Sequence, residues 1–197
     1  MWKKSFNRRL FLVIITSCLL LAIYVGLHSP YYALLQVGKS LAAHDLLKFE
    51  KYVDIDQITA SSMQQLIDCL KNYPALQDNF NLSLLQQDQV QLTNNLNGLI
   101  RDYIVHGEVD IILLEKFKSL SSGSLPQFTI DPSAIDWKIE KAERNQAFLI
   151  LSIPTPYGLT LPIKGKMEYE GNTWRLTEIV ELDKVLSPAL TLKSFLK

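Results

Sequence analysis

The chain falls into three parts by its pattern of hydrophobic and polar positions. The first is an apolar run, residues 10–27 (LFLVIITSCLLLAIYVGL), which contains no charged residue. At about 1.5 Å per residue, a helix of this length is roughly 27 Å long, close to the thickness of the hydrocarbon core of a bilayer. The run therefore predicts a transmembrane helix.

The second part, from residue 29 to Gly107, shows the three-to-four-residue spacing of amphipathic helices. Ser29 followed by Pro30 is a typical helix start, Asp45 predicts the start of a second helix, and Asp56 predicts the start of a third.

Residues 79–97 are rich in Asn and Gln, with leucines interleaved. They predict a helix with an amide-rich solvent face, which continues to a stop at Gly107. The alternative is a hydrogen-bonding face for a glycan or a peptide. Further helices are predicted at residues 109–120 and after Ser187.

In the third part, from Ile135 onward, the hydrophobic period becomes two, which is typical of strands. The second of four predicted strands is apolar on both faces and is therefore expected inside the sheet. Gly171-Asn172 predicts a tight hairpin, and residues 155–158 a turn. Helices followed by an antiparallel four-stranded sheet define an α+β fold. The strands are predicted at residues 135–140, 147–153, 159–170 and 173–182.

The charges that flank the apolar run predict its orientation. Four basic residues precede it, and the first basic residue after it is Lys39. The positive-inside rule then makes residues 1–9 a cytoplasmic segment, residues 10–27 a signal anchor, and residues 28–197 an extracytoplasmic domain. We expect a single-pass protein of the inner (plasma) membrane, with the lipid bilayer as one partner.

Two other fates of the apolar run stay open. The residues before Cys18 resemble a bacterial lipobox, which would make the chain a lipoprotein, although apolar rather than polar residues follow the cysteine. A cleaved signal peptide is the other alternative, but the best late cleavage position, after Ser29, is followed by Pro30.

Composition and candidate chemistry exclude several functions. Residues 28–197 hold 16 basic and 20 acidic residues, a net charge of −4, so nucleic acid is not an expected partner. The three histidines do not have metal-ligand spacing, and no phosphate loop or nucleophile motif occurs. We expect no cofactor and no enzyme activity. Cys69 is expected to be a small buried apolar residue.

Two segments carry a family resemblance. Ser29-Pro30-Tyr31-Tyr32-Ala33-Leu34, with Asp45 and Tyr52-Val53-Asp54 after it, and the hairpin of residues 171–179 resemble a bacterial family, domain of unknown function 2939. The resemblance implies a membrane-anchored envelope protein without an assigned activity. Helices followed by a curved four-stranded sheet are also similar to the cone fold of nuclear-transport-factor-like domains.

Glu178 is the one candidate for a functional carboxylate. With strict alternation along the last strand it faces inward with Trp174 and Leu176, where an apolar pocket would raise its pKa. The favoured alternative is a β-bulge near Thr177, which turns Glu178 outward and Ile179 inward.

Three hypotheses for function follow. The first is an interaction module that binds a protein partner in the envelope through the sheet face or the amide-rich helix. The second is a cone-shaped domain that binds a small molecule or lipid between sheet and helices. The third is an enzyme that uses Glu178.

Overall fold

The computed structural model describes residues 2–72, 82–107, 136–154 and 160–182. Within these residues the chain is α+β, with six helices followed by four strands. The helices are α1 (Trp2–Leu27), α2 (Pro30–Ala42), α3 (Leu46–Glu50), α4 (Ile55–Asn72), α5 (Leu82–Gln87) and α6 (Gln89–His106). The strands are β1 (Asp136–Ala142), β2 (Gln146–Pro154), β3 (Thr160–Glu170) and β4 (Thr173–Val180).

Helix α2 starts at the Ser29-Pro30 pair, as predicted, and the chain changes direction there. The Ser29 side chain accepts a hydrogen bond from the Tyr32 backbone N–H, and Pro30 occupies the first helical position. Because proline has no N–H to continue the preceding helix, α1 ends and α2 starts at an angle of 58° to it.

The side chains of the first two helices are covered to different extents. From Ile14 to Leu27 every described side chain of α1 is exposed. On α2 one face is buried and the other exposes Tyr31 and Leu35. Among the described side chains no single helix is long and apolar enough to span a membrane by itself. The bent pair Ile14–Leu27 and Pro30–Ala42 meets that requirement together, by length and composition alone.

Of the capping residues predicted for the next two helices, one is confirmed and the other is two residues away from the predicted position. Asp45 caps α3 as predicted, with its carboxylate accepting from the Lys48 N–H at 3.0 Å. The cap of α4 is Asp54 instead of Asp56: its carboxylate accepts from the Gln57 N–H at 3.0 Å, and the helix begins at Ile55. The prediction was two residues late because both positions hold Asp, a residue that favours either place.

The amide-rich region forms two helices rather than one. The helix is interrupted at Asp88, between α5 and α6. Helix α6 then ends at the predicted stop, where Gly107 takes the left-handed conformation (φ 73°) and its N–H donates to the Tyr103 carbonyl.

The four strands form one antiparallel sheet in the order β1-β2-β3-β4, which confirms the predicted meander and the inner position of β2. Gly171 and Asn172 both have positive φ and close the β3–β4 hairpin. Pro162 lies beyond the last residue of β3 that pairs with β4 in the described part of the chain, a position where a strand tolerates a residue without an N–H.

The core lies between the helices and one face of the sheet. Ala147, Leu149 and Met167 are completely buried there, against α2 and α4. A second cluster joins α4 to α5 and α6 and includes Met63, Ile67 and Leu70. Cys69 is buried, as expected.

The segment Tyr52-Val53-Asp54 holds the helical part to the edge of β4. The Leu176 N–H donates to the Tyr52 carbonyl, and the Asp54 N–H donates to the Leu176 carbonyl, both at 2.8 Å. Val53 pairs with Leu176 in a parallel bridge and is buried in the core. This contact satisfies backbone groups on the outer edge of β4, which would otherwise be open to pairing.

Several predicted elements lie outside the described residues. These are the helix at residues 109–120, the turn at residues 155–158, and the helix after Ser187.

Candidate functional site

A pocket of about 190 Å³ lies where α1 ends and α2 begins. Four separate stretches of chain line it: the end of α1, the first turn of α2, the residues after α3, and the β3–β4 hairpin with the start of β4. The polar and aromatic residues that matter for its chemistry are Tyr32, Lys51, Tyr52, Asn172, Thr173 and Trp174.

Trp174 attaches the sheet to the junction between the two helices. Its indole Nε1–H donates to the carbonyl of His28 at 2.7 Å. The ring is buried and packs against Tyr169, with the ring centroids 5.4 Å apart. The imidazole of His28 lies 4.2 Å from the ring of Tyr24 near the end of α1. Trp174 is therefore a core residue, as expected, and at the same time one wall of the pocket.

Two tyrosines and a lysine supply the polar groups of the pocket. Burial and the neighbouring Tyr32 raise the pKa of the Tyr52 hydroxyl above its usual value of about 10, so this hydroxyl stays a donor at neutral pH. The Lys51 ammonium lies 5.7 Å from the centroid of the Tyr52 ring, within the range of a cation–π contact.

Two carboxylates close to Lys51 in sequence form ion pairs with arginines. Glu50 accepts from Arg101 Nε at 2.8 Å, and Asp54 lies 3.1 Å from Arg175. Within the part of the chain that the structure describes, Lys51 itself has no ion pair. The pocket is therefore lined by a free cation and by no carboxylate among the described residues.

Glu178 lies on the other face of the sheet. The register between β3 and β4 shifts so that Glu178 pairs with Lys166 and Leu176 with Met167, which leaves Thr177 as the extra residue of a β-bulge. Ile179 then packs on the core, and Glu178 accepts a hydrogen bond from Gln65 at 3.3 Å. The structure thus contains the bulge of the favoured alternative, and Glu178 does not line the pocket.

The face of the sheet that points away from the core is partly apolar. Phe148, Ile150 and Val180 are half-buried on it, and the register places Ile150 and Val180 on either side of Lys164. The same face carries ion pairs, such as Lys166 with Glu168 at 2.6 Å.

A buried polar network joins α4 to α6, and the sequence interpretation missed it. The Asn97 amide donates to Asp56 at 2.7 Å, and its oxygen accepts from the Thr59 hydroxyl. Arg101 binds the same Asp56 at 3.1 Å. Asn97 was expected on an amide-rich solvent face but is only 7% exposed. The available signal was its helical spacing, three residues before Ile100 and seven before Ile104, which places it on the apolar face of the helix.

The remaining chemical possibilities are limited. Among the described residues no group of three or more His, Cys, Asp or Glu side chains is arranged to hold a metal ion. The space between sheet and helices, where the cone analogy expects a ligand, is filled in the described part by core side chains such as Leu149 and Met167. No family model, curated protein or solved structure matches this chain.

Proposed function

We propose that this chain is a single-pass membrane protein whose extracytoplasmic domain is an interaction module of the bacterial envelope, in keeping with the family resemblance. The observation that carries the proposal is the exposure of every described side chain on Ile14–Leu27, most of them large and apolar. A surface of this kind marks a membrane or partner contact in a stable protein.

Lipid is the favoured cover for this helix on energetic grounds. Twelve residues of the run 10–27 are Leu, Ile, Val or Phe. At about 0.3–0.6 kcal/mol each, they favour insertion by about 4–7 kcal/mol before the small opposing contributions of Thr16 and Ser17. The basic residues before the run orient it with the N-terminus in the cytoplasm and residues 28–197 outside.

The partner surface we propose is the sheet face that carries Phe148, Ile150 and Val180. This face combines half-buried apolar side chains with charged ones, Lys164 between Ile150 and Val180 among them, a mixture that occurs in protein–protein contacts. The charges of both signs at its rim, Lys166 and Glu168 among them, favour a protein partner over an anionic polymer.

Site-specific photocrosslinking in intact cells tests this assignment. A photoreactive residue at Ile150 should give a discrete crosslinked band. The same residue at Val90, which is 76% exposed on α6, should give none. A truncated chain that ends at His28 controls for contacts made by the anchor. Equal patterns at Ile150, Val90 and in the anchor control would refute the proposed surface.

The pocket at the start of α2 supports a second candidate, ligand binding. It differs from the cone hypothesis in location, since it lies at the end of the stem and not beneath the sheet. We assign no catalytic role, because Glu178 is outside the pocket and hydrogen-bonded to Gln65.

A further inference from the structure

The pocket lies at the level where the stem ends. Leu27, the last residue of α1, forms part of its wall, and the next wall residues are His28 and Ser29. If α1 crosses the bilayer, the pocket opens among the headgroups of the outer leaflet. The source of the ligand in this inference rests on the proposed anchoring. The chemistry of the ligand does not depend on it.

Five side chains that line the pocket can donate hydrogen bonds. Lys51 offers an ammonium, Tyr32 and Tyr52 offer hydroxyls, and Asn172 and Thr173 offer an amide and a hydroxyl. In the described part of the chain none of these side-chain groups donates a hydrogen bond to the protein. A volume of about 190 Å³ is far above the roughly 15 Å³ that one water needs, so a group of several heavy atoms fits.

We propose that this pocket binds a phosphate group, presented by the headgroup of an anionic phospholipid in the membrane that holds α1. A phosphate is anionic and accepts hydrogen bonds at every oxygen, which matches a site made of one cation and neutral donors. A choline headgroup is the contrasting case. The choline cation would bind to an aromatic face, but the Lys51 ammonium already lies over the ring of Tyr52. The two positive charges would repel each other.

The test uses the full chain in detergent and native mass spectrometry with added phosphatidylglycerol or phosphatidylcholine. We expect severalfold tighter binding of phosphatidylglycerol. Lys51→Gln should weaken it about tenfold, since a charge-assisted contact is lost. Lys48→Gln is the matched control: Lys48 is exposed on α3, three residues away, and does not line the pocket, so its loss should change affinity less than twofold.

A second variant separates the site from general electrostatic attraction. Tyr52→Phe keeps the charge and the aromatic ring but removes one donor, and it should weaken phosphatidylglycerol binding about threefold. Far-UV circular dichroism verifies that each variant is folded. Equal losses from Lys51→Gln and Lys48→Gln would overturn the site, and equal binding of both lipids would refute the anionic lipid as its ligand.

A soluble arm distinguishes the source of the phosphate. Glycerol phosphate is titrated into the same detergent-solubilised chain by calorimetry. Binding that Lys51→Gln abolishes, without any preference between the two lipids, would support the phosphate site and refute the lipid as its source. No binding in either arm would refute the site itself.

Failure of the anchoring proposal has a different signature. If α1 does not hold the chain in the membrane, carbonate washing releases the protein from membranes, and it does so equally for the wild-type chain and for Lys51→Gln.

Discussion

Replacing Asp54 tests the contact that joins the helical part of the domain to the sheet. This carboxylate has two roles at once: it accepts from the Gln57 N–H as the N-cap of α4, and it lies 3.1 Å from the Arg175 guanidinium. Asp54→Ala removes both. An N-cap replaced by alanine costs about 1 kcal/mol, and a half-buried ion pair contributes about 1 kcal/mol more.

The expected loss is therefore about 2 kcal/mol in the free energy of unfolding. For a protein of this size, that is a decrease of about 4–8 °C in Tm. The Arg175 side chain adds to the effect, because its guanidinium loses its ion-pair partner while its buried Nε already lacks a hydrogen-bond partner among the described residues. Without Asp54, the only described acceptor left to Arg175 is the Glu50 carbonyl at 3.4 Å.

The two roles separate with a second variant. Asp54→Ser keeps a side-chain oxygen for the cap but removes the charge, so it should lose about 1 kcal/mol. A double-mutant cycle of Asp54→Ser with Arg175→Met should show a coupling of about 0.5–1 kcal/mol. The assay is thermal unfolding of the full chain in detergent, followed by circular dichroism.

The result that refutes this reasoning is a loss below about 0.5 kcal/mol for Asp54→Ala. Equal losses for the serine and alanine variants would contradict the capping part alone. Zero coupling with Arg175 would contradict the ion-pair part alone.

Three further substitutions test the fold by the same unfolding assay. Asn97→Ala should cost about 1–3 kcal/mol because it breaks the buried network, whereas Asn94→Ala on the exposed side of α6 should change stability by less than about 0.5 kcal/mol; equal effects would contradict the network. Leu149→Ala, at a completely buried position, should cost about 2–5 kcal/mol, and a smaller loss would contradict the packing of the sheet. Gly107→Ala should destabilise the protein by about 1–2 kcal/mol, because φ is 73° and the added Cβ would lie 2.9 Å from the His44 ring. Gly38→Ala is the control: an added Cβ there meets no atom within 4 Å, so the change should be neutral or stabilising. The reverse order of stabilities would contradict the role of Gly107 as the helix cap.

Local chemistry explains which elements the sequence predicted well. Ser29, Pro30 and Asp45 act within four residues of their own positions, so their patterns identify helix starts directly. Gly107 and Gly171 take positive φ, which few other residues adopt, and both mark the ends of elements where they were expected. Strand order followed from short connections between consecutive strands.

Contacts between distant parts of the chain were not predictable from pattern. The parallel bridge from Val53 to β4 joins residues more than a hundred positions apart. Asn97 is buried because Thr59 and Asp56 of α4 offer it partners, and the composition of its own helix suggests the opposite.

The pocket shows the same limit. Tyr32, Lys51 and Thr173 come from three separate stretches of chain, and no spacing rule relates them. Glu178 is an intermediate case, because alternation and a bulge at Thr177 predict opposite faces for it. Only the pairing of Lys166 with Glu178 distinguishes the two.

The most direct test of the anchoring proposal is the accessibility of single cysteines to a membrane-impermeant maleimide. In a chain without Cys18 and Cys69, one cysteine replaces Val90 in the proposed extracytoplasmic domain, and in a second variant one replaces Ser5 before the apolar run. We predict that the maleimide labels the Val90 variant at once in intact spheroplasts and the Ser5 variant only after lysis. Labelling of Ser5 in intact spheroplasts, with Val90 protected until lysis, would contradict the proposed orientation and with it the compartment of the pocket and the partner surface.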